Sequence, residues 1–143
     1  MIAMLSAILG GVGSIFGQDN WSLEGLFGLL FAPVAWLIGV PWEDLQVGNF
    51  IGQKTILNEL VGYPAFGENI DQLSDKAIML SSFALAGFVN ISSIGIQIGS
   101  IGGLVPERRG EIAKLGPKAL FGGFLTNMLN AAIVGVIVAP MVL

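Results

Sequence analysis

The chain has 143 residues, of which 54% are hydrophobic and 11% charged, with a mean hydropathy of +0.81 and a formal net charge of −4. Soluble domains run near a quarter charged, so this composition points to a membrane protein of one modest domain. The absence of cysteine and histidine excludes disulfides, thiolate metal sites and imidazole proton shuttles, and the acidic balance leaves no basic surface for nucleic acid.

Met1–Gly17 is apolar and glycine-rich, slightly short for a full span, and reads as the end of a transmembrane helix. It lacks a positive leading region, so it does not read as a signal peptide. Its GGVG run has no strand or lysine around it and is better explained by helix packing than by phosphate binding. Gln18–Ser22 is a polar turn. Leu23–Trp42 carries Glu24 and Pro33 and is framed by Trp21, Trp36 and Trp42. Tryptophans favour the lipid–water boundary, so a helix lying in the interface is expected here, with a crossing as the alternative.

Leu45–Phe66 has apolar ends separated by Gly52, Gln53, Lys54, Thr55, Asn58 and Glu59. That pattern suits a re-entrant hairpin, two half-helices whose tip is shielded from lipid inside the protein. Gly67–Asp75 is an acidic loop. Ala77–Leu104 is long enough to span but carries Asn90, Ser92 and Ser93 at its middle, beside Gly87 and Gly95. Val105–Lys118 holds four of the six basic residues, Arg108, Arg109, Lys114 and Lys118, and reads as a cytoplasmic loop. Ala119–Leu143 is the last span, which places the acidic loop and the C-terminus outside.

Two constellations carry chemistry. Asn58-Glu59 falls at the expected hairpin tip, and a carboxylate at the bilayer centre costs about 2.5–3.5 kcal/mol on insertion scales. Three readings stand there: a polar ligand site, an internal ion pair with Lys54, or a shallower hairpin. Asn90, Ser92 and Ser93 can bond local backbone and break the helix, as at midplane transporter sites, or they can make polar contacts between helices. Gly95, Gly99 and Gly103 form a small-residue ridge that reads as packing, and so do Asn127 and Asn130, three apart on the last helix. Gln97 lies off that ridge.

The stretches GQKTILNELVGY and SSFALAGFVNISSIGIQIGSIGGLVPERRGEIAKLGPKAL resemble the C-terminal half of the concentrative nucleoside transporters. That family shows a G-x-K-x-x-x-N-E-F tip, an A-L-C-G-F-A-N-x-S-S-I stretch and then A-P-E-R-R. Here Ala86 replaces the cysteine, Val89 an alanine, and Leu60 the phenylalanine after Asn-Glu. The resemblance implies an all-α membrane protein, half of an inverted-repeat transporter, with one re-entrant helical hairpin at 45–66 and one broken transmembrane helix at 77–104. It implies a homotrimer in the cell inner (plasma) membrane that takes up nucleosides with sodium or protons, and no enzyme activity.

The resemblance further implies ribose contacts from Glu59, Asn90 and Ser93, with Phe88 beside the sugar and Asn58 as a second-tier candidate. An ionised carboxylate is acceptor-only, which suits neighbouring sugar hydroxyls. The family's first repeat, which contacts the base and holds the coupling cation, has no counterpart in this sequence. It is therefore expected in a longer form of the same chain or in a separate one, and this chain is expected to hold no cofactor or metal. Two other readings are a homo-oligomeric channel with a ring of Glu59, and a non-transporting membrane subunit that uses the glycine ridge.

Overall fold

The structure, a computed structural model, describes Met4 and residues 7–11 and 22–138; the expected helix at 1–17 and the turn at 18–22 lie mostly outside these. Residues 7–11 are helical. The described chain then forms α1 (Leu23–Leu37), α2 (Val47–Ile56), α3 (Glu59–Glu68), α4 (Asp75–Ala86), α5 (Ile91–Leu104) and α6 (Arg109–Val138), with three short 3-10 turns between them and no strand among the described residues.

Ser22 starts α1 by accepting from the Gly25 N–H at 3.0 Å, which satisfies one of the free amides of the first turn. The helix ends before Gly39, whose φ of 100° places it in the left-handed region that glycine tolerates. At 15 residues α1 is about 22 Å long, short of a bilayer's hydrocarbon core. It packs tightly on α2. A Cβ at Gly48 would sit 2.6 Å from the Ala32 nitrogen and 2.7 Å from the Phe31 carbonyl carbon, backbone that cannot step aside. Gly48→Ala should therefore lower the melting temperature in detergent, by about 1–3 kcal/mol of overpacking. Gly67→Ala, with nothing within 4 Å of its new carbon, should leave the melt unchanged.

α2 and α3 form an antiparallel helical pair. Lys54 packs against Gly62 and Phe50 edge-on against Phe66 at 6.0 Å, contacts whose residue numbers rise on one arm as they fall on the other. The turn is Leu57-Asn58, with Asn58 fully extended. α4 starts at Ser74, whose hydroxyl accepts from the Ala77 N–H and donates to the buried Asp44 carboxylate, fastening the α1–α2 connection to α4. Residues 87–90 are non-helical and α5 resumes at Ile91, so the long apolar stretch is two helices in series.

The expected loop over Val105–Lys118 is corrected by the structure. Only Val105–Arg108 interrupts the helices, and α6 runs 30 residues from Arg109. The reason is local: Glu111, Ile112, Ala113, Lys114 and Leu115 are helix-compatible, and Arg108 pairs with Glu111 at 2.8 Å across the helix start. Pro117 lies inside α6.

The core gathers Ala35 of α1 and Ile38 just after it, Phe50 and Ile51 of α2, Leu80 and Ala84 of α4, and Met128 and Ala131 of α6. By contrast, Gly102 is the one buried residue of α5, and Leu115, Phe121, Leu125 and Leu129 of α6 are exposed. Gly95, Gly99 and Gly103 have nothing within 4 Å of a Cβ, so the glycine ridge packs on no described residue. The close glycine contacts are elsewhere, at Gly48, Gly52, Gly62, Gly87, Gly102, Gly116 and Gly135.

Candidate functional site

The turn of the α2–α3 pair meets the break between α4 and α5. Glu59 is the first residue of α3, where the amides of the helix start favour a negative charge. Asn90 caps α5: its Oδ1 accepts from the Ser93 N–H at 2.9 Å. The same oxygen accepts from the hydroxyls of Ser93 at 3.0 Å and Ser92 at 2.6 Å. The Nδ2 donates to both oxygens of Glu59, at 3.1 and 2.9 Å.

Asn90 is only 1% exposed, and its two ends are not interchangeable. Reversing the amide would set an acceptor against the carboxylate and a donor against the Ser93 amide. One buried side chain thereby fixes where the hairpin tip sits relative to the helix break. Ser92 adds a second tie, within 3.3 Å of the Leu57 carbonyl, although its single hydroxyl proton serves Leu57 or Asn90 at any moment.

Glu59 itself is half-buried. A carboxylate has about four acceptor positions, and Asn90 engages one on each oxygen, so the outer positions can accept from a ligand's hydroxyl groups. Ser93, also half-buried, lies beside this group and lines a mostly apolar cavity of about 500 Å³ between α5 and α6. Phe88, 70% exposed, and Gln97 line the same cavity. Glu59, Asn90 and Ser93 thus form one cluster, with Phe88 flanking it. Asn58 precedes Glu59, makes no side-chain cap, and keeps a buried Oδ1 without a partner.

The ion pair between Lys54 and Glu59 is not formed. Lys54 is 0% exposed and its Nζ has no hydrogen-bond partner. Asn127 and Asn130 do not share a role: Asn127 is buried and donates to the Ala84 carbonyl, one of the free acceptors at the end of α4, whereas Asn130 is exposed. Gly87 makes room for this, since a Cβ there would overlap Asn127 Oδ1. Sequence reasoning gave Ser92 and Asn127 no specific partner. Each bonds a backbone carbonyl at least 35 positions away, and nothing local marks such a bond.

The family model described as "Na+ dependent nucleoside transporter C-terminus" matches residues 1–135. The chain belongs to this nucleoside transporter family. Within it, the chain is 50% identical over 139 residues to the uncharacterized transporter YutK of Bacillus subtilis, covering 96% of this chain and 34% of that protein. The nucleoside permease NupC of Helicobacter pylori is 39% identical, with 96% and 34% covered, and the human sodium/nucleoside cotransporter 1 is 31% identical, with 98% and 24% covered. Among solved structures, CNTnw in an inward-facing substrate-bound state superposes with a TM-score of 0.91 at 42% identity, over 96% of this chain and 35% of that one. The chain spans between a quarter and about a third of the length of these relatives. These nucleoside transporters and permeases are not enzymes, and family membership, with two stretches long and apolar enough to cross a bilayer, marks a membrane protein.

Proposed function

We propose that the chain is the C-terminal portion of a cation-coupled nucleoside symporter, and that the Glu59–Asn90–Ser93 cluster binds the nucleoside's ribose near the membrane midplane. The observation that carries this reading is a single carboxylate held by a buried amide between a hairpin tip and a helix break, with acceptor positions left for two adjacent hydroxyls. Ser93 supplies a third polar contact, and Phe88 an aromatic face beside the sugar.

The lengths of the elements support this membrane placement. Ten-residue arms of about 15 Å let α2 and α3 enter half a bilayer and return as a re-entrant hairpin. α1, too short to cross, lies in the interface with Trp36 and Trp42 exposed. α6 is about 45 Å long against a core of about 30 Å, and the excess of roughly ten residues matches Arg109–Lys118. The basic residues thus project into the cytoplasm on a helix instead of a loop, and the C-terminus faces outside. The base contacts and the sodium or proton site belong to a first repeat, in a longer form of this chain or in a separate one, and the assembly is a homotrimer in the inner membrane. The open glycine face of α5 also suits a non-transporting subunit packed on a partner helix.

The test is uptake of a radiolabelled nucleoside by the native polypeptide in proteoliposomes, with nucleosides and free nucleobases as competitors. Saturable uptake that nucleosides inhibit far better than bases is expected. Equal inhibition by free bases removes ribose as the determinant, and no uptake with a co-purifying partner favours the subunit reading.

A further inference from the structure

Gln97 has no part in the ribose cluster, yet it faces the same space. On α5, Ser93, Ile94, Gln97 and Ile101 share one face by their spacing of three and four, and all of them line the cavity against α6. The glycine ridge lies on the other face. The cavity is a product of this chain's own packing. A Cβ at Gly116 would lie 2.7 Å from Ile94, and one at Gly123 3.3 Å from Val89, so the two helices meet at two points along it.

Ser93 and Gln97 are the polar side chains among the lining residues, and no charged residue lines the groove. Gln97 makes no hydrogen bond within the described chain. A primary amide left open on an apolar wall inside a membrane span is costly, because the bilayer core offers no water to bond it. It calls for a polar partner that the described residues do not supply. A lipid tail or an apolar helix laid in the groove would leave the amide unbonded.

The place of Gln97 relative to the cluster narrows the partner. At 1.5 Å of rise per residue it stands about 6 Å along α5 from Ser93, on the side away from the break. A furanose held by its two ring hydroxyls at Glu59 carries its remaining, primary hydroxyl on a rotatable CH2 arm from the next ring carbon. That arm is short, neutral and polar only at its tip. Apolar walls with one amide and no cation suit it, and the amide offers both a donor and an acceptor.

We infer that Gln97 is a specificity-determining residue of the same site, bonding the nucleoside's primary hydroxyl where it extends along the α5–α6 groove beyond Ser93. The inference rests on the reading of Glu59, Asn90 and Ser93 as ribose ligands.

The test measures binding to the full native transporter of three ligands: a ribonucleoside, the same nucleoside lacking its primary hydroxyl, and the same nucleoside lacking both ring hydroxyls. Each is measured on the parent and on Gln97→Leu, with Gln97→Met, which keeps the length of the side chain, as the second variant should Gln97→Leu not fold. Either variant should weaken the ribonucleoside roughly threefold to tenfold and leave the ligand without a primary hydroxyl unchanged. Equal weakening of both means that Gln97 packs against another helix or a lipid, and overturns the inference. So does an unchanged affinity for the ribonucleoside. A parent that binds these two ligands alike overturns it without any variant. The third ligand tests the underlying reading separately: a parent that binds it as tightly as the ribonucleoside removes Glu59 as the ribose ligand, whatever Gln97 does.

Discussion

Glu59→Gln is expected to remove most ribose-dependent affinity while leaving the melting temperature close to that of the parent. Glutamine keeps the length of the side chain and a carbonyl oxygen that can still accept from Asn90 Nδ2. It replaces the other carboxylate oxygen with a neutral donor, which cannot accept from a ligand hydroxyl. Hydrogen bonds to charged groups contribute about 1.5–3 kcal/mol, so affinity should fall roughly tenfold to a hundredfold. A nucleoside lacking the ribose hydroxyls should bind parent and variant alike. Calorimetry on both ligands checks this, and unchanged ribonucleoside affinity sinks the assignment of Glu59.

Asn90→Asp should be the most damaging conservative change in the chain. Aspartate is as good a helix cap as asparagine and has the same shape, so α5 keeps its start and the bonds from Ser92 and Ser93 remain possible. The damage is confined to the other end. Where Nδ2 stood 2.9 Å from Glu59 there would be a second carboxylate oxygen, a like-charge contact of about 4 kcal/mol at an effective dielectric of ~20. The variant should melt well below the parent and lose nucleoside binding. Adding Glu59→Gln should restore the melt, because the new amide donates to the new carboxylate, but should not restore binding. If the double variant melts no higher than Asn90→Asp alone, the junction is not held by this pair.

The two-part character of the site was legible in the sequence because polar residues interrupt apolar stretches at two points. Lys54, Asn58 and Glu59 mark one, and Asn90, Ser92 and Ser93 the other, and the helices stop at both. That these points meet was not legible from pattern. It depends on Asn90 reaching Glu59 across 31 positions, and the resemblance to known transporters supplied it. The start of α6 was misread for a different reason. Its four basic residues suggested a loop, yet a helix carries three of them once Arg108 and Glu111 pair across its start. The glycine ridge shows a further limit. Spacing of four identifies a face of α5 but not whether anything in the same chain covers it, and here none of the described residues does. Asn127 shows the same limit: a polar residue in a long helix looks alike whether it faces solvent or closes the end of a neighbouring helix.

The tie between Asn127 and the last turn of α4 bears on how the site is held. α6 grips the broken helix just before its break, while Asn90 joins the far side of that break to the hairpin. The four residues between α4 and α5 are therefore fastened from both sides, by Asn127 of α6 before the break and by Asn90 and Ser92, which reach the hairpin, after it. A break fastened at both ends behaves as part of the wall of the site, so loss of either amide should disturb the placing of Glu59 before it unfolds a helix.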